Sequence, residues 1–268
     1  MIQHSLPILI GLACFSFAQA EIKTKDLKYA DGEVVLEGFL AWNETATTGV
    51  ANPSARTAPG ILVVHQWMGL TDYEKRRCEQ LAKMGYVAFA LDIYGANIHP
   101  TNQQEAGQEA GKYKNDRDLF RRRLQRGLEQ LRSQPDVDPN RIAAIGYCFG
   151  GTGVLELVRS GAEINGVVSF HGGLDSPSPN DGKNITAKIL ICHGADDPFV
   201  PQEDIAAFKK ELNDARVDWQ MNYYSGSVHS FTQPMAGDDN TKGAAYNETA
   251  DRRSWAAMQL FFDELFGD

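Results

Sequence analysis

Cysteine is scarce in this chain: four residues in 268, namely Cys14, Cys78, Cys148 and Cys192. No two of them form a C-x-x-C pair, and no two histidines stand at the H-x-x-x-H spacing of a zinc helix. A dense disulfide framework and the common zinc sites are therefore not expected, and no metal site is assigned. Positive charge is also short, with 26 Lys and Arg against 35 Asp and Glu, a formal net charge of −9. Phosphate backbones select basic faces, so no nucleic-acid partner is expected. Beyond the first twenty residues no apolar run is long enough to span a bilayer. The remainder is globular in composition, 43% hydrophobic and 23% charged. A chain of this length folding as one unit buries roughly 70–75% of its unfolded surface, and one α/β domain over residues 21–268 is the expected organisation.

The first twenty residues stand apart. Leu6 to Phe17 is an apolar stretch of signal-peptide length, Ala18-Gln19-Ala20 is an A-x-A cleavage pattern, and Glu21 opens a polar segment. Residues 1–20 are therefore expected to be a signal peptide. The protein is then periplasmic or secreted, with no stable membrane insertion after cleavage. The segment before the apolar stretch carries His4 but no Lys or Arg, so an uncleaved N-terminal anchor is the alternative. Gly11-Leu12-Ala13 before Cys14 is a poor lipobox. Cleavage leaves Cys78, Cys148 and Cys192, an odd number, hence at least one free thiol. Cys78 falls in a helical stretch and Cys192 in an apolar strand, where each reads as a small buried hydrophobe. A disulfide between those two is the alternative reading.

Hydrophobic patterning indicates the fold class. Residues 22–30 and 33–42 read as two strands around the turn signal Asp31-Gly32. Residues 43–60, rich in Thr, Ala, Asn, Gly and Pro, read as a surface loop. From residue 61 short apolar runs alternate with helical stretches. The runs are 61–64, 86–91, 141–145, 166–170 and 188–192, with a mixed strand at 217–224. Helices are expected over 72–84, 117–132, 151–159, 202–213 and 249–266. Runs apolar on both faces, separated by helices, indicate a parallel sheet covered on both sides. Sites in such sheets form beyond the carboxyl ends of the strands.

One segment carries the chemistry. Gly146-Tyr147-Cys148-Phe149-Gly150, with Gly151 next, is G-x-C-x-G between an apolar strand and a helix. That is the setting of a nucleophile elbow, with Cys148 as nucleophile. The helix N-terminus beneath the sulfur favours a thiolate and a developing oxyanion. In this order of elements an acid and then a histidine follow the nucleophile. Asp196 and Asp197 follow the 188–192 strand, and His229 follows the 217–224 strand. His229 is the expected base, with one of the two aspartates orienting it. His65, His171 and His193 also follow strands, and each reads as a histidine that supports the site from behind or is hydrogen-bonded in the core. The expected oxyanion donors are the backbone N–H groups of Phe149 and Trp67. Trp67 and Gln66 are also expected to line the substrate site.

These motifs resemble the dienelactone hydrolase family. The resemblance rests on Val64-His-Gln-Trp-Met-Gly-Leu70, Leu91-Asp-Ile-Tyr-Gly95, Arg141-Ile-Ala-Ala-Ile-Gly-Tyr-Cys-Phe-Gly-Gly151, Asp197-Pro-Phe-Val-Pro201 and His229-Ser-Phe231. It implies an α/β-hydrolase fold, a monomer, no cofactor, and a Cys148–His229–Asp197 triad, which selects Asp197 over Asp196. The implied reaction opens a small-molecule ester or lactone through a thioester acyl-enzyme. Two positions depart from the family pattern. Gln66 stands where well-known members carry a Glu that helps activate the thiol. Gln233 stands where they carry an Arg that holds the substrate carboxylate. Arg117, Arg121, Lys112 and Lys114 are candidate replacement cations, although each reads first as a solvated charge. These departures keep a general short-chain carboxylesterase open as an alternative. A redox or non-catalytic thiol protein is the alternative of another class.

Overall fold

A computed structural model describes residues 21–44 and 57–267. The expected signal peptide, with Cys14, and most of the expected 43–60 loop lie outside the described residues. The strands are β1 (Ile22–Asp31), β2 (Val34–Asn43), β3 (Ala58–Val64), β4 (Val87–Leu91), β5 (Val137–Tyr147), β6 (Gly166–Phe170), β7 (Lys188–Gly194) and β8 (Trp219–Tyr224). The helices are α1 (Asp72–Lys83), α2 (Gln103–Asn115), α3 (Arg117–Arg132), α4 (Phe149–Arg159), α5 (Gln202–Ala215) and α6 (Glu248–Phe266). The strands form one sheet in the order β1-β2-β4-β3-β5-β6-β7-β8. β3 to β8 run parallel, and the β1–β2 hairpin joins antiparallel at one edge.

The alternation of side chains along a strand decides the layering. Leu62, Val64, Phe89, Leu91, Ile142, Ala144, Val167 and Ile189 face α2, α3, α4 and α5. Ile61, Val63, Ala88, Ala90, Ala143, Ile145, Val168 and Leu190 face α1 and α6. Both faces are covered, so the central strands are apolar throughout, as the sequence pattern requires. Cys78 and Cys192 lie buried in the second layer as free thiols. The alternative of a disulfide between them is thereby set aside. Burial pushes the Cys192 thiol up to about 12 and the Cys78 thiol well above its ordinary value.

Two elements differ from the sequence reading. In the hairpin Asp31 pairs with Val34, so the loop is Gly32-Glu33 rather than Asp31-Gly32. Positive φ is needed at the first loop position, where Gly32 takes +61°, the pattern of a type II′ turn. Asp31 is instead the last strand residue, and its carboxylate takes Arg122 and Arg123 of α3. Helix α2 was not expected from the sequence at all. Asn102 caps it by accepting from the Glu105 N–H. Its buried stripe is Ala106, Ala110 and Tyr113, two of them too small to stand out as a hydrophobic period.

Helix α4 follows the candidate nucleophile and is held at its far end by buried charge. Arg159 is fully buried and donates to Glu211 of α5 at 2.9 and 2.6 Å. It also donates to Glu156 at 3.0 Å, and Glu156 takes Arg121 of α3 at 2.8 Å. Removing one member of such a cluster strands the others without solvent. Arg159→Ala is expected to lower unfolding free energy by about 3–5 kcal/mol, read as a drop in the urea midpoint. A loss under ~1 kcal/mol, typical of an exposed ion pair, would show that the cluster is not acting as a buried unit.

Candidate active site

β5 ends at Tyr147 and α4 begins at Phe149, so a single residue makes the turn. Cys148 sits there at φ +55°, ψ −115°, a strained backbone conformation for a residue with a side chain. The flanking glycines are demanded by close approach. A Cβ on Gly146 would lie 2.0 Å from the Gly150 carbonyl oxygen. A Cβ on Gly150 would lie 2.2 Å from the Val64 carbonyl oxygen of β3. Only glycine fits at both places, and the tight turn lifts the thiol above the sheet edge.

Two further loops converge on the sulfur. After β8, the His229 N–H donates to the Gly243 carbonyl and the His229 carbonyl accepts from the Ala245 N–H, at 3.1 and 3.0 Å. The residue is thus held on both sides. Its Nε2 lies 3.0 Å from Cys148 Sγ. Its Nδ1 lies 2.8 Å from Asp197 Oδ2. After β7, Asp197 is buried, and its other oxygen accepts from the Phe199 N–H at 2.9 Å. Asp196 turns away and accepts from the Gly226 N–H at 3.0 Å. Of the two aspartates, Asp197 is therefore the one brought to His229.

The electrostatics favour charge separation between sulfur and imidazole. Burial opposes a thiolate at Cys148. The His229 charge and hydrogen bond, with smaller help from Lys114 and the Phe149 N–H, outweigh it and lower the thiol below its ordinary range. Burial likewise opposes an imidazolium, but the Cys148 charge and the Asp197 hydrogen bond raise His229 to about 10. Each group stabilises the charged form of the other. The pair can hold a nucleophilic sulfur and a proton donor 3.0 Å apart.

The expected oxyanion donors lie at the start of α4 and on the loop after β3. Phe149 opens α4, so its N–H has no partner within the helix. The Gln66 carbonyl accepts from the Gly69 N–H at 3.1 Å and lies 2.6 Å from His65 Nδ1. His65 Nε2 accepts from the Ile93 N–H at 3.2 Å, which leaves the ring proton on Nδ1. A trans peptide carries its N–H opposite its carbonyl, so this pinning fixes the direction of the Trp67 N–H. The Trp67 carbonyl in turn accepts from Tyr94 Oη at 2.8 Å.

The two departures acquire partners. Gln66 is buried and donates to Glu74 through its backbone N–H and its Nε2, at 3.3 and 3.4 Å. Its side chain is thereby committed to α1. Gln233 accepts from the Met235 N–H and caps its own loop. Among the candidate cations, Arg117 pairs with Asp175, Arg121 with Glu156 and Asp181, and Lys112 with Glu109. Lys114, exposed at the end of α2, is the one whose charge acts on Cys148. His65, His171 and His193 are buried; His65 and His171 find partners at both ring nitrogens, whereas His193 Nδ1 has no hydrogen-bond partner among the described residues.

The model of the dienelactone hydrolase family matches residues 47–266. The chain belongs to the dienelactone hydrolase family. With that membership come an α/β-hydrolase fold and hydrolysis of esters or lactones as its class of reaction. The solved structure of m3DLH is 38% identical, covers 92% of this chain and 99% of its own, and superimposes with a TM-score of 0.85. A dienelactone hydrolase-like promiscuous phosphotriesterase, P91, from metagenomic libraries is 39% identical, with coverage of 93% and 100% and a TM-score of 0.84. A carboxymethylenebutenolidase homolog of Xenopus tropicalis is 25% identical, over 75% of this chain and 81% of its own. Among the described residues no helix is long and apolar enough to cross a membrane.

The mutual stabilisation of sulfur and imidazole has a measurable consequence. Alkylation of Cys148 by iodoacetamide, followed by mass spectrometry, is expected to reach half its maximum below the ~8.5 of a free thiol. His229, raised to about 10, keeps its proton at neutral pH and loses it as pH rises through that value. An alkylation midpoint at or above that of free cysteine would show that the ion pair does not form.

Proposed function

We propose that this family member hydrolyses carboxylic esters or lactones by covalent catalysis, with Cys148 as nucleophile, His229 as proton carrier and Asp197 as its orienter. The observation that carries the reading is the continuous chain from Cys148 Sγ through His229 to Asp197, with contacts of 3.0 and 2.8 Å. The thiolate attacks the acyl carbon, forming a C–S bond while the carbonyl π electrons move to oxygen. The Phe149 and Trp67 N–H groups face that oxyanion. Collapse breaks the acyl C–O bond, and His229 Nε2–H protonates the departing oxygen. In a lactone that oxygen stays tethered to the acyl group. A water then gives a proton to His229 and attacks the thioester. The C–S bond breaks, and the acid and the thiolate–imidazolium pair are regenerated. Asp197 keeps the reactive imidazole nitrogen turned to the sulfur throughout.

The substrate leaning follows from charge. Gln66 puts no carboxylate beside the sulfur, and Gln233 offers no cation to a substrate carboxylate. Both favour a neutral short-chain ester or lactone over an anionic one. Lys114 is the cation that an anionic substrate would meet. A second reading is favoured by P91, a 39%-identical protein named as a promiscuous phosphotriesterase. In that chemistry the thiolate displaces an aryloxide from phosphorus, and water releases the phosphoryl group.

The test compares p-nitrophenyl acetate, dienelactone and a dialkyl p-nitrophenyl phosphate, using wild type and Cys148→Ala. Fast release from the neutral ester that vanishes in the variant is expected. Faster dienelactone turnover would move the assignment to the anionic lactone, and turnover of the phosphate alone to phosphotriester hydrolysis. Full activity in Cys148→Ala would remove the covalent mechanism. Asp197→Asn is expected to lower kcat by about 10²–10⁴, since a mis-set imidazole tautomer costs up to ~10⁴ in a comparable Ser–His–Asp site. A rate within threefold of wild type would deny Asp197 its role.

A further inference from the structure

A histidine that the mechanism does not use touches both halves of the reacting pair. His171 follows β6, is fully buried, and takes φ +41°. Its Nδ1 accepts from the Cys148 backbone N–H at 3.1 Å, sharing that N–H with the Phe170 carbonyl at 3.0 Å. Accepting there requires a bare Nδ1, so in the neutral ring the proton sits on Nε2. Nε2 lies 2.8 Å from Thr232 Oγ1, three residues beyond His229. The ring packs edge-on against His229, with centroids 5.3 Å apart, and against Phe231 at 5.1 Å.

We propose that His171 is a positioning residue: a brace between the Cys148 turn and the His229 loop that sets the sulfur–imidazole spacing. This rests on the covalent mechanism proposed above. A hydrogen-bonded line continues beyond Thr232. Arg77, which can only donate, gives Nε–H and Nη2–H to Tyr73 Oη, both at 3.2 Å. Tyr73 Oη lies 2.8 Å from Thr232 Oγ1 and 3.2 Å from the Thr232 carbonyl oxygen, and Arg77 is anchored by Asp251 of α6 at 2.6 Å. Thr232 Oγ1 thus sits between Tyr73 Oη and His171 Nε2. The loop carrying His229 is tied through this line to α1 and α6, and through His171 to the nucleophile's own backbone. Burial, with the His229 charge beside it, holds His171 neutral, and only the neutral ring can accept from Cys148.

The experiment uses the full chain with Thr232→Val, Thr232→Ser and His171→Asn. Valine keeps the volume of Thr232 and loses the hydroxyl; serine keeps the hydroxyl and loses a methyl. Asparagine tolerates positive φ but is too short to span both contacts. The readouts are the pH profile of Cys148 alkylation, kcat and KM on p-nitrophenyl acetate, and Tm. Thr232→Val and His171→Asn are expected to raise the alkylation midpoint and to lower kcat about 10–100-fold, the scale of a small misplacement, with KM little changed. Thr232→Ser is expected to stay close to wild type in both. The brace is overturned if Thr232→Ser is worse than Thr232→Val, because packing would then be the cause. It is equally overturned if kcat falls with no shift in the alkylation midpoint. A wild-type Cys148 that alkylates like a free thiol would instead remove the covalent mechanism, and the brace with it.

Discussion

The contact of the Cys148 sulfur with the His229 imidazole, 3.0 Å apart in a partly buried setting, is the one on which the rest of the site depends. Either charge alone is costly in such a place. With Asp197 behind the imidazole and the first N–H of α4 beneath the sulfur, each group favours the charged form of the other. The chain spends its unusual local features on maintaining this contact. Cys148 accepts a strained backbone, Gly146 and Gly150 give up side chains, and Ser230, next to His229, also takes positive φ. Strain of this kind survives only where surrounding packing over-determines it. Here that packing is the parallel sheet edge with α4 anchored at both ends.

The wider electrostatics keep stray charge away from the sulfur. Glu74 is fully buried on α1, yet it accepts from the Thr71 N–H and Oγ1 and from Gln66. Its carboxylate thus serves a capping box and orders the loop that holds Trp67, one layer back from the nucleophile. Arg117, Arg121, Arg122 and Arg123 of α3 are likewise occupied, by Asp31, Glu156, Asp175 and Asp181. They hold the hairpin and α4 in place rather than facing substrate. The field at the thiol therefore comes chiefly from His229, with Lys114 as the outlying cation.

Much of this was legible along the chain. The apolar runs marked β3 to β7 because strands covered on both faces carry little polar residue anywhere. The elbow was legible because a one-residue turn tolerates few sequences. The order of Cys148, an aspartate at 196 or 197, and His229 followed from the strands that precede them, and the family resemblance pointed to Asp197. Helix α2 was not legible, because Ala106 and Ala110 give too little contrast against a polar background. The hairpin loop was read one residue early, because Asp-Gly is a turn signal wherever it falls, whereas the register was set by Gly32 at the first loop position.

Other features depend on proximity, not on pattern. Asp196 and Asp197 are chemically identical neighbours, which strand order alone does not separate; the path of the chain after β7 sends one to Gly226 and the other to His229. Gln66 could be seen to lack a carboxylate, but its commitment to Glu74 required α1 to pack beside β3. His171 and Thr232 lie 61 residues apart, and nothing local links them. The sequence by itself determined which groups can react and which strand ends carry them, because periodicity and tight turns are local properties. Tertiary structure alone decided their partners, protonation and spacing. Those depend on distances of a few ångströms between segments that meet only when the sheet closes over its two helical layers.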